Sequence, residues 1–272
     1  MILTTRKAFN LIILVIAAII GTTSFLAFLF FSYAGSLNWV RLGMNEGERL
    51  VFNTLISLAF FLQHSLMIRR SFRRRVSVLI PSQYQGAVYT VASGFVLSAF
   101  VAFWQGSDLV LFDLHGLPGG VMRAFYFLSI LGTGWGMWAL RSIDMFGLDP
   151  IIENLRGTPP PPMTFTIRGP YRWVRHPLYL FMIVLFWSCP SLTADRLLFN
   201  LLWTIWVVIG TILEERDLVH DFGKAYRDYQ AIVPMLVPHG FHPAYRTGKS
   251  HNTLSCGLGK SGPLKLNESK NN

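Results

Sequence analysis

A short polar segment with the composition of a ligand site stands just before one of the apolar runs of the chain. It reads Arg168-Gly-Pro-Tyr-Arg-Trp-Val-Arg-His-Pro-Leu-Tyr179. Gly169-Pro170 is a turn signal, and Pro177 suits the first turn of a helix, where its missing N–H costs nothing. His176 is therefore expected near the N-cap of that helix. Free N–H groups at a helix start, together with an arginine, suit a carboxylate or phosphate. A basic anchor at the membrane interface fits the pattern equally well.

A second polar cluster follows the last apolar run. It opens with the adjacent carboxylates Glu214 and Glu215. Helical spacing places an acid and four apolar or aromatic residues on one stripe: Glu214, Leu218, Phe222, Tyr226 and Tyr229. This predicts an amphipathic segment that either lies against the membrane or folds back over the first cluster. Adjacent carboxylates at the end of a membrane helix are costly unless solvated or paired, and solvation is the state expected for Glu215.

The third cluster is Gln63-His64-Ser65, at the end of another apolar run. Two interpretations fit it: a hydrogen-bonded group between membrane helices, or part of a substrate pocket. The interval from Asp144 to Arg156, with the proline run 159–162, is a loop that would be able to cover such a pocket. No zinc motif of the His-Glu-x-x-His type, no P-loop and no dinucleotide glycine fingerprint is present, so no metal is expected.

These clusters are separated by segments that are suited to lipid. The chain has 272 residues, of which 52% are hydrophobic and only 14% are charged, whereas soluble proteins carry about 25% charged residues. Six apolar runs can be recognised, at residues 9–33, 50–68, 84–104, 121–140, 178–189 and 197–213. The first is too long for the apolar core of a signal peptide. The fifth is short, so the last two are interpreted as a helical hairpin. The sequence predicts an all-α polytopic membrane bundle of five to six helices.

Charge placement predicts the orientation of the bundle. Arginine-rich connections follow the second and fourth runs, at residues 69–75 and 141–175, whereas the opposite connections mix arginine with Asp and Glu. Arginine accumulates on the cytoplasmic side of membrane proteins, so all three polar clusters and both termini are expected there. The same rule accounts for the net charge of +10, so no nucleic-acid partner is expected. The lipid bilayer is the expected partner, and the oligomeric state is left open.

The two C-terminal clusters together resemble a known enzyme superfamily. The pattern Gly-Pro-Tyr-x-x-x-Arg-His-Pro-x-Tyr is followed by a hairpin and then by Glu-Glu-x-x-Leu-x-x-x-Phe-Gly-x-x-Tyr-x-x-Tyr-x-x-x-Val-Pro. Over residues 164–238 it is similar to the isoprenylcysteine carboxyl methyltransferase superfamily. The segments Gln63-His64-Ser65-Leu66-Met67 and Asp144-Met-Phe-Gly-Leu148 resemble its nurim branch, which includes the bacterial methanethiol S-methyltransferases, and extend the resemblance over residues 50–238.

The resemblance implies a cytoplasmic C-terminal pocket for S-adenosylmethionine. The motif positions imply these cofactor-binding residues: Thr166, Ile167, Tyr171, Arg175, His176, Pro177, Tyr179 and Glu214. Gln63 and His64 would belong to the substrate pocket, and His64 or His176 would accept the thiol proton. The substrate-contacting arginine of the prenylcysteine enzymes falls here at Gly210, which favours a smaller, uncharged substrate.

The expected reaction is methyl transfer from S-adenosylmethionine to methanethiol, giving dimethyl sulfide and S-adenosylhomocysteine, in a bacterial inner membrane. The alternatives are another thiol, a prenylcysteine or a lipid as acceptor, or a non-catalytic nurim-like scaffold. The expected organisation is N-terminal membrane helices over residues 1–145, a methyltransferase core over 146–238 and a disordered tail over 239–272.

Overall fold

A computed structural model describes residues 2–140, 144, 146–158, 165–240 and 242–244. Most of the expected tail, the proline run 159–162, Arg141 and Met145 lie outside these residues. The described chain forms nine helices and two short strands. The helices are α1 (Ile2–Ala34), α2 (Glu46–Ile68), α3 (Arg70–Val76), α4 (Ser82–Phe103), α5 (Gly116–Leu140), α6 (Asp149–Arg156), α7 (Pro177–Trp187), α8 (Ala194–Phe222) and α9 (Lys224–Ile232). The strands are β1 (Val110–Asp113) and β2 (Ser191–Thr193).

The predicted all-α membrane bundle is confirmed. Four described helices are long and apolar enough to cross a membrane, namely α1 from Lys7 onward, α2, α4 and α8. Two further apolar helices, α5 with 25 residues and α7 with 11, pack against each other. Large apolar side chains such as Leu131 and Trp138 on α5 are 69% and 68% exposed. Exposed apolar surface of this extent is what a lipid-facing bundle requires.

The predicted hairpin of the last two apolar runs is present and is unequal in length. Helix α7 has 11 residues and is therefore about 16 Å long at ~1.5 Å per residue, less than the roughly 30 Å of bilayer hydrocarbon. The chain continues through Ser188–Pro190 into β2, which pairs antiparallel with β1. The sequence did not predict this two-stranded ribbon. It provides hydrogen-bond partners for the backbone N–H and C=O groups in the part of the hairpin that is not helical.

Buried polar contacts connect the helix ends beside the ribbon. The Asn53 side chain donates to the Gln105 carbonyl at 2.7 Å and accepts from the Gln105 N–H at 2.9 Å. Trp104 Nε1 donates to Asp195 at 2.8 Å, and the Arg196 guanidinium donates to carbonyl oxygens in the last turn of α1. A cavity of about 510 Å³ lies at this end of the bundle. The contacts fix the register of α1, α2, α4 and α8.

Aromatic rings fill the centre of the bundle. Residues from α1, α2, α4, α7 and α8 form one buried cluster, in which Phe28 stacks on Trp203 with centroids 4.7 Å apart. Close packing replaces the hydrophobic effect as the attraction between helices in lipid. The cluster separates the polar end described above from the opposite end, where the three predicted polar clusters lie.

The described part of the Asp144–Leu148 segment packs against α1 and α4, and the lid role predicted for the interval from Asp144 to Arg156 with the proline run 159–162 stays a prediction. Thr90 Oγ1 donates to the Phe146 carbonyl at 2.5 Å, and Leu148 packs with Ala17 of α1 and Ala87 of α4. Asp144 accepts from the backbone N–H groups of Leu148 and Asp149 at 2.9 and 2.7 Å. The described part of this segment anchors α6 to α1 and α4.

Candidate active site

The chain enters α7 through a tight turn against α5. Gly169 has φ +52°, and a Cβ there would lie 2.7 Å from the Cβ of Ala139, so this position requires glycine. A short 3-10 turn over Gly169–Arg172 follows. Pro177 is buried at the first position of α7, and His176 occupies the N-cap, as the motif predicted. The turn thereby directs Tyr171, Arg175 and His176 toward the end of α8.

Arg175 and Glu215 form an enclosed ion pair at the centre of the site. Arg175 Nε lies 2.6 Å from Glu215 Oε1, and the side chains are only 10% and 13% exposed. Arg175 Nη1 also donates to the carbonyl oxygens of Gln230 and Val233, and Gln230 donates to Glu215 at 2.9 Å. The expected solvation of Glu215 is therefore wrong: burial against α9 makes pairing with Arg175 the more favourable state.

His176 faces the same carboxylate from the other side. Its Nε2 lies 3.2 Å from Glu215 Oε1 and 3.4 Å from the Tyr226 hydroxyl. The side chain is 5% exposed. Burial lowers the pKa of His176, and the charges of Glu214 and Glu215 act in the opposite direction. The neutral imidazole therefore donates from Nε2 to Glu215, since a carboxylate can only accept.

Glu214 has a different environment from its neighbour. One of its oxygens accepts a hydrogen bond from the Tyr179 hydroxyl at 2.5 Å, and it forms no ion pair with any residue that the structure describes. Burial raises the pKa of the nearby Tyr171, and the negative charge of Glu214 adds to this. The His176 and Tyr179 rings stack with centroids 5.6 Å apart. The result is an uncompensated negative charge beside several aromatic faces.

Helix α9 folds back over the start of α7, which decides between the two orientations predicted for this segment. The backbone N–H groups of Arg175 and His176 donate to Pro234 and Met235 at 2.9 and 3.1 Å. The Tyr229 hydroxyl donates to the Tyr171 carbonyl at 2.6 Å. The reversal occurs at Gly223, where φ is +55°, a conformation that favours glycine.

The predicted backbone strip lies along α9. Ile167 and Phe165 pack against the buried cluster of Tyr226, Tyr229 and Val233. Thr166, between them, is half-buried. Burial raises the pKa of both α9 tyrosines, so their hydroxyls stay protonated and donate. This packing holds the strip next to Tyr171 and Arg175.

The Gln63-His64-Ser65 cluster makes hydrogen bonds between helices, as one of its two interpretations predicted. Gln63 Nε2 donates to Ser93 Oγ of α4 at 3.2 Å, and Trp206 Nε1 of α8 donates to Ser65 Oγ at 3.2 Å. The Gln63 carbonyl oxygen is buried without a partner. His64 lies 2.9 Å from the Tyr89 hydroxyl. The substrate-pocket interpretation stays a prediction.

The structure brings all the predicted site residues to one end of the bundle. His176 stacks on Tyr179, and the Tyr179 hydroxyl donates to Glu214, so these three residues lie in one contact network. The roles assigned to the individual residues stay predictions. Sequence reasoning did not single out Tyr89, which is one of several hydroxyl side chains on α4 and whose contact with His64 depends on helix packing. Among the described residues, no group of three or more metal-ligating side chains occurs.

Comparison with known proteins identifies relatives that share most of the chain. The methanethiol S-methyltransferase of Pseudomonas deceptionensis is 35% identical over 196 residues, covering 70% of this chain and 72% of that protein. The methanethiol S-methyltransferase of Mycobacterium tuberculosis is 31% identical over 193 residues, covering 71% of this chain and 79% of that protein. The chain belongs to the methanethiol S-methyltransferase family.

More distant relatives of the methanethiol S-methyltransferase family also match. A nurim homologue of Drosophila pseudoobscura pseudoobscura is 21% identical over 179 residues, covering 63% of this chain and 71% of that protein. No family model matches the chain, and no solved structure matches it. The predicted relation to the nurim branch is confirmed.

Proposed function

We propose that this membrane protein transfers a methyl group from S-adenosylmethionine to methanethiol, giving dimethyl sulfide and S-adenosylhomocysteine. The observation that supports it is the position of Glu214, which lies beside Tyr179 and has no ion-pair partner among the described residues. The cationic methyl donor supplies the charge that this carboxylate lacks. The names of the bacterial relatives support methanethiol as the acceptor.

The residues of the site fit a sulfonium donor. S-Adenosylmethionine supplies, when bound, an electrophilic methyl group on a positively charged sulfur. Aromatic faces attract such cations, and Tyr171 and Tyr179 flank Glu214. The backbone at residues 166–167 and the start of α7 complete the proposed binding surface. We assign Arg175 a structural role and no direct contact with the donor. Its guanidinium already donates to Glu215 and to the carbonyl oxygens of Gln230 and Val233.

A dry site favours this chemistry. Opposite charges neutralise each other when a thiolate attacks a sulfonium, so exclusion of water assists the reaction. Helices α2, α4, α7 and α8 exclude water with the aromatic cluster beneath the site. Helix α9 closes the site from outside with the buried Tyr226 and Tyr229. The main task of the protein is then to align the two reactants.

We place the enzyme in a bacterial inner membrane with the site and both termini in the cytoplasm. The arginines of α3 and of the α7 entry lie at the end of the bundle that holds Glu214. Arginine-rich ends face the cytoplasm, where a water-soluble methyl donor would be supplied. Methanethiol is apolar and reaches the site through lipid or water.

The proposal is tested by the change Glu214→Gln, with the exposed Asp217→Asn of the same helix as the matched control. A hydrogen bond to a charged group contributes about 1.5–3 kcal/mol. Glu214→Gln should therefore weaken donor binding, measured by calorimetry, roughly tenfold or more, and Asp217→Asn should leave it unchanged. Headspace gas chromatography of cells fed methanethiol should detect dimethyl sulfide above the empty-vector level.

Two results would contradict the proposal. Equal donor affinity in Glu214→Gln and in the unmodified protein would refute the role of Glu214. If no dimethyl sulfide forms and the unmodified protein does not bind the donor, the chain is a non-catalytic scaffold. Donor binding without dimethyl sulfide would instead point to a different methyl acceptor.

A further inference from the structure

His64 and Tyr89 form a hydrogen-bonded pair that the proposed donor site does not use. The Tyr89 hydroxyl lies 2.9 Å from Nε2 and 3.0 Å from Nδ1 of His64. The hydroxyl is therefore within hydrogen-bond distance of both ring nitrogens, and the tautomer of His64 decides which of them accepts. Any molecule that exchanges a proton with His64 from this side meets the Tyr89 hydroxyl first.

The surroundings of His64 in this pair are aromatic, whereas the Ser93 hydroxyl and the charge of Arg73 act on Tyr89. The rings of Phe60 and Trp206 each lie with their centroids 5.2 Å from that of His64. His64 forms no ion pair with a residue that the structure describes. A small neutral thiol suits such an environment, whereas an ionised ligand would lose its solvation there.

The His64–Tyr89 pair lies at the same end of the bundle as the proposed donor site. Phe60 and Trp206 contact the His64 ring. Phe60 belongs to the aromatic cluster on which Trp206 and Tyr179 pack, and Tyr179 donates to Glu214 at 2.5 Å. Helices α2, α4, α7 and α8 thus bring the His64–Tyr89 pair and the residues proposed to bind the methyl donor to one aromatic cluster. A thiol between Tyr89 and that site would be close to both.

His176, the other histidine at this end of the bundle, is committed elsewhere. Its Nε2 faces the Glu215 carboxylate at 3.2 Å and the Tyr226 hydroxyl at 3.4 Å. Its ring is stacked on Tyr179. These contacts hold His176 in a charged cluster with Arg175 and Glu215, which is a poor environment for an apolar thiol.

We propose that Tyr89 and His64 form the proton-accepting pair for the thiol, with Tyr89 in direct contact with the sulfur. This inference rests on the proposed function. As the S–H bond breaks, the proton passes to the Tyr89 oxygen, and Tyr89 passes its own proton to His64. The thiol sulfur keeps the electron pair of the S–H bond and uses it to form the new bond to the methyl carbon. The bond between that carbon and the donor sulfur breaks at the same time, and its electron pair stays on the donor sulfur, which becomes neutral.

The test compares Tyr89→Phe with Tyr84→Phe. Tyr84 lies on the same helix, but its hydroxyl donates to Asn10 at 2.5 Å, away from His64. General base catalysis contributes about a hundredfold or more to a rate, so Tyr89→Phe should lower turnover of methanethiol by that factor. Donor affinity, measured by calorimetry, should stay unchanged in both variants, which also shows that both are folded. Turnover by Tyr89→Phe equal to that of Tyr84→Phe would overturn the proposal.

The acidity of the acceptor separates proton removal from a structural role. Hydrogen sulfide is smaller and more acidic than methanethiol and is largely ionised near neutral pH, so it needs no base. Ethanethiol is larger but similar in acidity to methanethiol. The defect of Tyr89→Phe should shrink to less than about tenfold with hydrogen sulfide and persist with ethanethiol. A uniform loss across the three acceptors would mean that Tyr89 only shapes the pocket.

A second variant, His64→Gln, keeps the test valid if Tyr89→Phe does not fold. His64→Gln should show the same dependence on acceptor acidity, and the double variant should be no slower than either single one, because both residues act on one proton. If the loss of turnover in the double variant equals the product of the two single losses, the residues act independently and the shared role is contradicted. If the unmodified protein makes no dimethyl sulfide, both the proposed function and this inference fail. If it does make dimethyl sulfide, and Tyr89→Phe and His64→Gln turn over methanethiol as fast as Tyr84→Phe, only this inference fails.

Discussion

Arg175 and Glu215 show how a single residue pair determines which charges remain free for a ligand. Removing one partner of a buried ion pair costs about 3–5 kcal/mol, because the other charge is left uncompensated. The pair therefore holds α8 against α9 and leaves the neighbouring Glu214 as the available carboxylate. Gly210, one turn before Glu214, would place a Cβ in open space. No described side chain therefore occupies the position at which the resemblance to the prenylcysteine enzymes places an arginine.

His176 should make the stability of the protein depend on pH. Its pKa in the folded protein lies below the ordinary value of 6.5, so the unfolded chain takes up a proton first as the pH falls. The stabilisation is fully present above pH ~6.5 and is lost as the pH falls below that value. Groups that face the ring are Arg175, Tyr179, Glu214, Glu215 and Tyr226.

The measurement is the thermal unfolding midpoint in detergent between pH ~7.5 and pH ~5, about one unit above and 1.5 units below the ordinary histidine pKa. The unmodified protein should lose more stability over this range than His176→Gln, which cannot titrate there. Parallel curves for the two proteins would show that His176 does not supply the dependence.

At the scale of the elements, the short helices position the site and the long ones enclose it. Helix α7 starts at the site, and α9 returns to it after the reversal at Gly223. Helix α6 is held on α4 by a close backbone approach: a Cβ at Gly86 would lie 2.1 Å from the carbonyl oxygen of Gly147. Since the obstacle is backbone and not a mobile side chain, the two segments would have to separate to accept it.

Gly86→Ala should therefore destabilise the protein. Overpacking of this kind costs about 1–3 kcal/mol. The matched control is Gly134→Ala in α5, where a Cβ meets nothing within 4 Å and alanine should stabilise the helix by up to ~1 kcal/mol. The readout is the thermal unfolding midpoint of each purified variant. Equal midpoints for the two variants would show that α6 does not require this contact.

For the whole molecule, the distribution of charge distinguishes the two ends of the bundle. The end that holds Glu214 carries the arginines of α3, and Arg70 joins α3 to Asp221 of α8 at 2.6 Å. The ribbon end pairs its charges locally, as Arg49 does with Asp108 at 2.6 Å. A polar site at one end and an aromatic core in the middle would keep the proposed water-soluble methyl donor on one side of the membrane.

Cysteine labelling tests the proposed orientation. In a Cys256→Ser background, Leu117→Cys places a thiol at a position of α5 that is 82% exposed, at the ribbon end. Ser71→Cys places one on the exposed surface of α3. A membrane-impermeant maleimide added to intact cells should label the first and not the second, and should label both after lysis. Labelling of Ser71→Cys in intact cells would reverse the orientation.

Local composition was enough to predict the apolar runs, the final hairpin, the turn before α7 and the site motifs. These features depend on residues close together in the chain: apolar length determines membrane insertion, and glycine and proline determine turns. The division into segments 1–145 and 146–238 stays a prediction.

Only the tertiary structure decided which polar groups meet. Glu215 pairs with Arg175 across 40 positions of sequence, and His64 meets Tyr89 across 25. The pairing of β1 with β2 and the contact of the segment after α9 with the start of α7 join residues still further apart in sequence. A buried charge or hydroxyl must find a partner, but the sequence does not say which of several distant groups it will be; helix packing in three dimensions makes that choice.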